Sequence, residues 1–300
     1  MNFNAWLQAF RLRTLPLALS SILMGGFLAA SAGAFQWIIF FLCVTTTGFL
    51  QVLSNLANDY GDSIHGADHA ERKGPARAVQ SGAISLAQMK LAVILFAILS
   101  LVSGTSLLLV SFGWDWNALL FFFGLGVLSI AAAIAYTVGK RPYGYIGLGD
   151  FSVLIFFGLV GVMGSYYLFT KTISWLEILP ALSCGFFSIG VLNINNIRDI
   201  ESDRTAGKFS IPVRVGKEKA SRYHWFLLIS GISTSLLYTV LTYQSPVQFL
   251  FCFTILLFFR NGQAISQKPS AELDPYLKQM ALSTLLFVVL FGVGLMVSVN

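Results

Sequence analysis

Apolar runs of about 20 residues recur along the whole chain, and they limit its possible folds more than any other feature. Of its 300 residues, 56% are hydrophobic and 11% are charged, whereas a soluble domain carries about 25% charged residues. Nine runs fit membrane spans at about 15–35, 37–58, 86–111, 117–138, 148–169, 175–197, 223–243, 246–265 and 279–299. The sequence therefore predicts an all-α, polytopic membrane protein with one membrane-embedded domain over residues 1–300, in contact with membrane lipids.

Basic residues lie almost entirely on one side of the predicted bundle. With nine spans, the N-terminus and the loops after the second, fourth, sixth and eighth spans share a face, and of the 19 Lys and Arg only Lys171 falls opposite. The positive-inside rule makes this face cytoplasmic, which predicts a multi-pass protein of the cell inner (plasma) membrane. The net charge of +6 then reflects topology and anionic lipid headgroups, and we expect no nucleic-acid partner. Arg11 and Arg13 precede the first span, but its apolar stretch is long, and we expect it to be retained as a membrane span and not removed as a signal peptide.

Two clusters of Asn and Asp stand at the ends of the second and sixth predicted spans, on the same side of the membrane. The first motif begins NLANDYGD at residue 55, and it places Asn55 four residues before Asp59 and Asn58 four residues before Asp62. Asp68 follows in the loop. Positions three or four apart share one face of a helix. The spacing therefore predicts a polar stripe at the mouth of the bundle.

The second motif, NINNIRDIESD from residue 193, repeats this spacing, since Asn195, Asp199 and Asp203 are each four apart. Carboxylates at a helix C-terminus oppose the helix dipole at a cost of some tenths of a kcal/mol each, so stability of the fold does not explain them. Magnesium favours carboxylate oxygens together with substrate phosphates. The two motifs together indicate a magnesium–diphosphate site. The alternative is that these carboxylates are solvated charges paired with nearby basic residues.

Other polar residues on this face fit the same chemistry but have simpler explanations. Tyr136 could contact a phosphate or stabilise a cation, or it belongs to an interfacial aromatic belt. Asp150 either favours a helix N-terminus or points into the bundle, and His65 with His69 permits a zinc site. Six basic residues could hold phosphate oxygens or anchor lipid headgroups: Arg11, Lys73, Arg77, Lys140, Arg141 and Lys208.

The two motifs resemble a known family. NLANDYGDSIHGAD with ERKGPAR (residues 55–77) and NNIRDIESDRTAGKFSIPVRVG (195–216) are similar to the two signatures of the UbiA superfamily of intramembrane prenyltransferases. RLRTLPLALSSILMG (11–25), YTVGKR (136–141) and GLGDFSVLIFFGLVGVMGSYY (147–167) extend the resemblance over nearly the whole chain. Within the superfamily, the motifs most resemble the 1,4-dihydroxy-2-naphthoate polyprenyltransferases of menaquinone synthesis. The resemblance implies a bundle of nine helices enclosing a central cavity.

The resemblance also implies roles for individual residues. Metal and diphosphate ligands would be Asn58, Asp59, Asp62, Asp68, Asn196, Asp199 and Asp203, with Asp59, Asp62, Asp199 and Asp203 central to catalysis. Arg11, Lys140 and Arg141 match basic positions of the family, and Lys73, Arg77, Tyr136 and Lys208 complete the predicted diphosphate-binding set. Asn55 and Asp150 are the candidates for acceptor binding. The chain departs from the family where Phe209–Pro212 replaces a more basic or Thr-containing run, and where Asp150 stands in place of Glu.

The implied reaction is Mg²⁺-assisted ionisation of a polyprenyl diphosphate. The allylic cation is attacked by the ring of 1,4-dihydroxy-2-naphthoate, and loss of diphosphate and CO2 gives a demethylmenaquinone. Acceptors such as 4-hydroxybenzoate or homogentisate would use the same diphosphate chemistry. A secondary transporter of an anionic or metal-bound solute is the non-enzymatic alternative. Transporters bind near the membrane midplane, however, whereas the acidic motifs here lie near one surface.

Overall fold

The computed structural model describes residues 3–65 and 77–299, except for the side chain of residue 299. Three residues of interest therefore lie outside the described residues: the predicted ligand Asp68, the predicted phosphate-binding Lys73, and His69 of the alternative zinc site. Within the described ranges every regular element is a helix. The all-α prediction is confirmed.

Thirteen α-helices cover most of these two ranges. They are α1 Phe3–Phe10, α2 Leu15–Ser31, α3 Trp37–Ile64, α4 Leu86–Phe112, α5 Trp116–Ala135, α6 Gly149–Val153, α7 Ser165–Thr170, α8 Ile178–Arg198, α9 Ile200–Thr205, α10 Ile211–Val215, α11 Lys217–Leu241, α12 Ile255–Gln267 and α13 Asp274–Val299. Turns of 3₁₀ helix cover Leu12–Thr14, Trp175–Glu177, Pro246–Thr254 and Ser270–Glu272. A π-helix, Leu154–Gly164, joins α6 to α7.

Nine helical stretches of the described chain are long and apolar enough to cross a membrane, as the sequence predicts. Their ends differ from the predicted bounds, because helical hydrogen bonding continues beyond the apolar run. The second span continues through the first acidic motif to Ile64, the seventh begins at Lys217, and the ninth begins at Asp274. The first motif thus lies on the last turns of a membrane helix and not in a loop.

The spans pack in adjacent pairs, with α3 against α4, α8 against α11 and α2 against α13. The π-helical segment also packs against α8 and α2, and these contacts need glycine because the segments approach closely. A Cβ at Gly158 would lie 2.9 Å from the carbonyl oxygen of Ala181, and one at Gly161 would lie 2.8 Å from Cβ of Ser21. The π-helical segment is therefore held directly against α8 and α2. Its irregular winding is typical of helices at functional sites.

A cavity of about 410 Å³ lies inside the bundle. Its walls come from α2, α3, α4, α5, the π-helical segment and α8, and α13 adds only Leu277 to the lining. The walls are mostly apolar, with Leu17, Phe122, Phe156 and Leu192 among them. The same cavity is also lined by the polar residues Arg11, Asn58, Tyr136 and Asn195. Because Asn58 and Asn195 belong to the two acidic motifs, the cavity reaches both motifs.

Candidate active site

The first span is broken at Arg11, whose backbone has φ 47° and ψ 52°, a left-handed conformation that is uncommon outside glycine. Helix α3 holds this break, since Nδ2 of Asn55 donates to the carbonyl oxygen of Phe10 at 2.9 Å and to Oγ1 of Thr14 at 3.1 Å. The guanidinium of Arg11 then donates to the carboxylate of Asp59. Strained backbone of this kind concentrates at functional sites, and here it directs a cation at the first motif.

The first motif forms a buried ionic cluster. Asp59 and Asp62 are 1% and 4% exposed, and Arg77 contacts both, with Nε 3.6 Å from Oδ1 of Asp59 and Nη1 bonded to Oδ2 of Asp62. The hydroxyl of Tyr145 donates to Oδ1 of Asp62 at 2.7 Å. The two carboxylates therefore share one face of α3, as their spacing predicts. Arg11 and Arg77, both in the predicted phosphate-binding set, are their counter-ions.

The second motif does not lie on one continuous helix, because α8 ends at Arg198 and α9 begins at Ile200. Arg198 donates to both carboxylate oxygens of the adjacent Asp199, at 2.8 and 2.7 Å. Neighbouring side chains on a regular helix do not face each other, so this pair requires the interruption. The amide of Asp203 still donates to the carbonyl of Asp199 at 2.8 Å, which keeps the four-residue spacing across the junction.

An ion-pair chain ties the second motif to the rest of the bundle. Arg198 donates to Oδ1 of Asp274 at 2.5 Å, and Arg13 donates to Oδ2 of the same carboxylate at 2.9 Å. The start of α13 and the turn after α1 are thereby joined to the end of α8. Sequence reasoning did not select Arg198 or Asp274. The signal available for Arg198 was its place inside the acidic motif.

Asp203 and Lys208 bring the second motif within electrostatic range of the first. Nζ of Lys208 lies 3.3 and 3.2 Å from the two carboxylate oxygens of Asp203. Burial lowers the pKa of Lys208, but the charges of Asp203 and then Asp62 outweigh this and raise it overall, so the lysine is a cation. Burial raises the pKa of Asp203, and the charges of Asp199 and Asp62 add to that rise. Carboxylates of both motifs therefore repel one another, and an added cation would relieve the repulsion.

Tyr136 lies between this charged cluster and the cavity. Its half-buried ring lines the cavity and meets the ring of Tyr143 edge-on at 5.4 Å between centroids. Burial raises the pKa of Tyr136 to about 12, with contributions from the charges of Asp203 and Asp62. The phenol is therefore protonated at neutral pH. Tyr136 therefore borders both the cavity and the acidic residues, and its role in the site stays a prediction.

The remaining predicted basic residues are placed differently. Lys140 and Arg141 are exposed, and among the described residues neither forms an ion pair with the acidic motifs. His65 has Nδ1 2.9 Å from the carbonyl oxygen of Gly61 and Nε2 2.9 Å from that of Gly139. The zinc alternative also needs His69, which lies outside the described residues, so it stays a prediction.

The candidate acceptor-binding residues both serve structural contacts. Asp150 is buried in the first turn of α6 and accepts a hydrogen bond of 2.9 Å from Tyr223, but it does not line the cavity. This is the helix N-terminal arrangement that the sequence left open for Asp150. Asn55 does line the cavity, while its amide nitrogen holds the break at Arg11.

The two asparagines predicted to bind the metal, Asn58 and Asn196, differ in whether their side-chain oxygen already accepts a hydrogen bond. Oδ1 of Asn58 accepts a hydrogen bond of 3.3 Å from Thr137. Oδ1 of Asn196, on α8, is buried and has no hydrogen-bond partner among the described residues. Buried oxygens without a partner are uncommon and call for an explanation. A metal ion that prefers oxygen ligands would supply one.

The model of the UbiA prenyltransferase family matches residues 18–284 of this sequence. The chain belongs to the UbiA prenyltransferase family. The 1,4-dihydroxy-2-naphthoate octaprenyltransferase of Haemophilus influenzae is 46% identical over 300 residues, covering 99% of this chain and 97% of that protein. The enzyme of the same name from Escherichia coli is 43% identical, with 98% and 96% covered.

A solved family structure shares the fold of the chain. A UbiA homologue from Archaeoglobus fulgidus, bound to DMAPP and Mg²⁺, superimposes with a TM-score of 0.60 at 15% identity, covering 95% of this chain and 98% of that one. At this identity the likeness establishes the fold alone. The predicted family membership and the predicted nine-helix architecture are both confirmed.

Proposed function

We propose that this protein transfers a polyprenyl group from polyprenyl diphosphate to 1,4-dihydroxy-2-naphthoate, releasing diphosphate and CO2 and giving a demethylmenaquinone. The observation that carries the proposal is the meeting of two buried acidic motifs with an apolar cavity that Tyr136 and Arg11 also line. The acceptor is taken from the names of the relatives from Haemophilus influenzae and Escherichia coli, which match nearly end to end.

The chain provides its own counter-ions for the acidic motifs. Arg11 and Arg77 bind the carboxylates of the first motif, and Arg198 and Lys208 bind those of the second. When a diphosphate enters, Arg11, Arg77 and Lys208 can turn from carboxylates to phosphate oxygens. Charge-assisted bonds from such side chains favour the diphosphate as a leaving group. Lys73, Lys140 and Arg141 are further candidates for this role.

The donor set of the two motifs fits magnesium, because carboxylate and amide oxygens are the ligands it prefers and the buried Oδ1 of Asn196 has no partner in the described part of the chain. The residues that would hold it are Asn58, Asp59, Asp62, Asn196, Asp199 and Asp203, with Asp68 as a further candidate. Bound there, magnesium would neutralise the charge that develops on the departing diphosphate. Burial, together with the charges of Asp199 and Asp62, raises the pKa of Asp203, and a cation bound beside these carboxylates would offset that cost.

The cavity would shelter the hydrocarbon donor and the allylic cation. Tyr136 and Tyr143 line it next to the charged cluster, where their ring faces can stabilise a cation. Phe122 and Phe156 line its apolar part, which keeps water from the reactive centre. The acceptor ring would enter from the same cavity, where Asn55 offers a polar contact.

We infer further that the site opens to the cytoplasm and that the protein resides in the cell inner (plasma) membrane. The support is the distribution of positive charge, since only Lys171 of the 19 Lys and Arg falls on the opposite face. The acidic motifs then draw on a soluble pool of magnesium and aromatic acceptor while the isoprenoid tail remains within the bundle.

The test supplies purified protein with magnesium, a polyprenyl diphosphate and one aromatic acceptor at a time. We expect a prenylated product with 1,4-dihydroxy-2-naphthoate and release of diphosphate. A product with 4-hydroxybenzoate or homogentisate, and none with dihydroxynaphthoate, would overturn the acceptor assignment. Uptake of a labelled anionic solute into proteoliposomes, without any prenyl transfer, would favour the transporter alternative.

A further inference from the structure

Tyr145, in the loop between α5 and α6, contacts both acidic regions at once. Its hydroxyl donates to Oδ1 of Asp62 at 2.7 Å. Its carbonyl oxygen accepts a hydrogen bond of 2.8 Å from the amide of Phe209, the residue that follows Lys208. One residue therefore joins the first motif through its side chain and the end of the second motif through its backbone.

The loop that carries Tyr145 is braced on both sides. The Tyr145 ring is buried, and its centroid lies 5.4 Å from that of His65 at the end of α3. On the other side, Arg214 of α10 donates through Nη2 to the carbonyl of Ile146 and through Nε to the carbonyl of Phe209, both at 2.9 Å. The loop thus has little freedom to move relative to either motif.

The hydroxyl of Tyr145 acts on Asp62 as a hydrogen-bond donor. A tyrosine hydroxyl has an ordinary pKa of about 10, so the phenol is protonated at neutral pH and donates a hydrogen bond to the carboxylate. The other oxygen of Asp62, Oδ2, is bound by Arg77. Oδ1 is therefore bound by an aromatic side chain with few rotatable bonds, whereas Oδ2 is bound by a cation that a metal ion could replace.

We propose that Tyr145 is a positioning residue for the metal site. Its hydroxyl fixes the carboxylate plane of Asp62 so that Oδ2 is presented to a divalent cation when Arg77 turns away, and its carbonyl keeps the Lys208 segment in register with that carboxylate. The proposal rests on the function proposed above. Hydrogen-bond partners of ligating side chains typically contribute about 10- to 100-fold in metal affinity or activity.

The experiment compares the wild-type protein with Tyr145→Phe, which keeps the buried ring and removes only the hydroxyl. Magnesium is titrated in the presence of inorganic diphosphate, with the thermal unfolding midpoint as the binding readout, and again in the prenyl-transfer assay. We expect the half-saturating magnesium concentration to rise about 10-fold or more in both titrations. Saturating magnesium should restore most of the transfer rate.

Tyr238→Phe is the matched control. Tyr238 is also buried, and its hydroxyl also donates to a carboxylate, at 3.3 Å to Oε1 of Glu177, but that pair lies at the end of α8 opposite the second motif. Its magnesium titration should match that of the wild type. An equal shift in Tyr238→Phe would mean that the loss of any tyrosine–carboxylate bond weakens binding, and the proposal would be overturned.

Two other results would overturn the proposal: a folded Tyr145→Phe protein with unchanged half-saturating magnesium, or a slower protein whose magnesium dependence is that of the wild type. If Tyr145→Phe does not fold, Arg214→Gln takes its place. It releases the carbonyl of Ile146 at an exposed position, and it should shift the titration in the same direction by a smaller factor, whereas no shift would refute the idea. Absence of prenyl transfer by the wild type would defeat the proposed function, while the unfolding titration would still test Tyr145.

Discussion

Gly61 lies between two predicted metal ligands, and its replacement by alanine is expected to separate catalytic activity from stability. The residue packs directly on the end of the fourth span. A Cβ at Gly61 would lie 2.5 Å from the carbonyl oxygen of Thr137 and 2.6 Å from its Oγ1. The closer contact is about 0.9 Å short of the 3.4 Å at which ordinary contact begins. The backbones of the two segments must therefore move apart in Gly61→Ala.

The two consequences of this movement differ in size. Overpacking costs about 1–3 kcal/mol, while replacing a helical glycine by alanine recovers about 1 kcal/mol, so the net loss of stability is about 0–2 kcal/mol. The carboxylate of Asp62, one residue away, moves with the backbone of α3. A displacement of about 1 Å in a catalytic site costs roughly 100-fold in rate. We therefore expect kcat/KM to fall by about that factor in a protein that still folds.

The assay measures prenyl transfer and thermal unfolding for Gly61→Ala and for Gly48→Ala, a control on the same helix. A Cβ at Gly48 would meet no atom of the described residues within 4 Å, so this substitution should leave kcat/KM unchanged and stability equal or higher. Wild-type kcat/KM in Gly61→Ala would refute the reasoning. So would an equal loss of rate in both variants, because the effect would then come from the helix and not from the contact with Thr137.

Three further outcomes are expected. Asp59→Asn and Asp199→Asn should each lower prenyl transfer at least about 100-fold, since several kcal/mol of charge stabilisation are lost, in a protein that still inserts and folds, although the loss of a buried ion-pair partner lowers its unfolding midpoint; a folded variant at the wild-type rate would contradict the metal assignment. Arg77→Leu should lower the unfolding midpoint in EDTA by more than in magnesium, because loss of one partner of a buried ion pair costs about 3–5 kcal/mol and a bound cation replaces that partner. Equal losses in both buffers would count against the shared site. In intact cells, an impermeant thiol reagent should label Lys171→Cys and leave Lys140→Cys unlabelled; the reverse pattern would invert the proposed orientation.

The sequence predicted those features of the site that depend on regular helix geometry. Asp59 and Asp62 share a face because α3 is regular across the first motif, and Arg77 contacts both carboxylates. Regular helix geometry does not describe the surroundings of Asp199, because the helix is interrupted there. There the adjacent residues Arg198 and Asp199 form an ion pair with each other. Four-residue periodicity carries no information about a pair of adjacent residues.

Tertiary contacts determine which of the basic residues on this side of the membrane join the ionic cluster, and their charge alone does not. Arg11 and Lys208 are drawn into the ionic cluster, whereas Lys140 and Arg141 are exposed, although all four are basic residues on one side of the membrane. Tyr145 gave no signal, because an uncharged aromatic residue in a glycine-containing loop resembles ordinary packing. Its importance arises from hydrogen bonds to segments distant in sequence, which no local pattern encodes.

The charged residues and the apolar wall of the cavity lie in separate parts of the site. This separation affects how such an enzyme can acquire new substrates. The carboxylates and their counter-ions occupy helix ends, while the wall beyond them is built from side chains such as Phe156 and Leu192. Exchanging one apolar side chain for another of similar volume usually costs less than about 1.5 kcal/mol. Wall substitutions can therefore accumulate, and change which aromatic ring is accommodated, without disturbing the ionic network. Selection for a new acceptor would then alter residues that are separate from those that activate the donor.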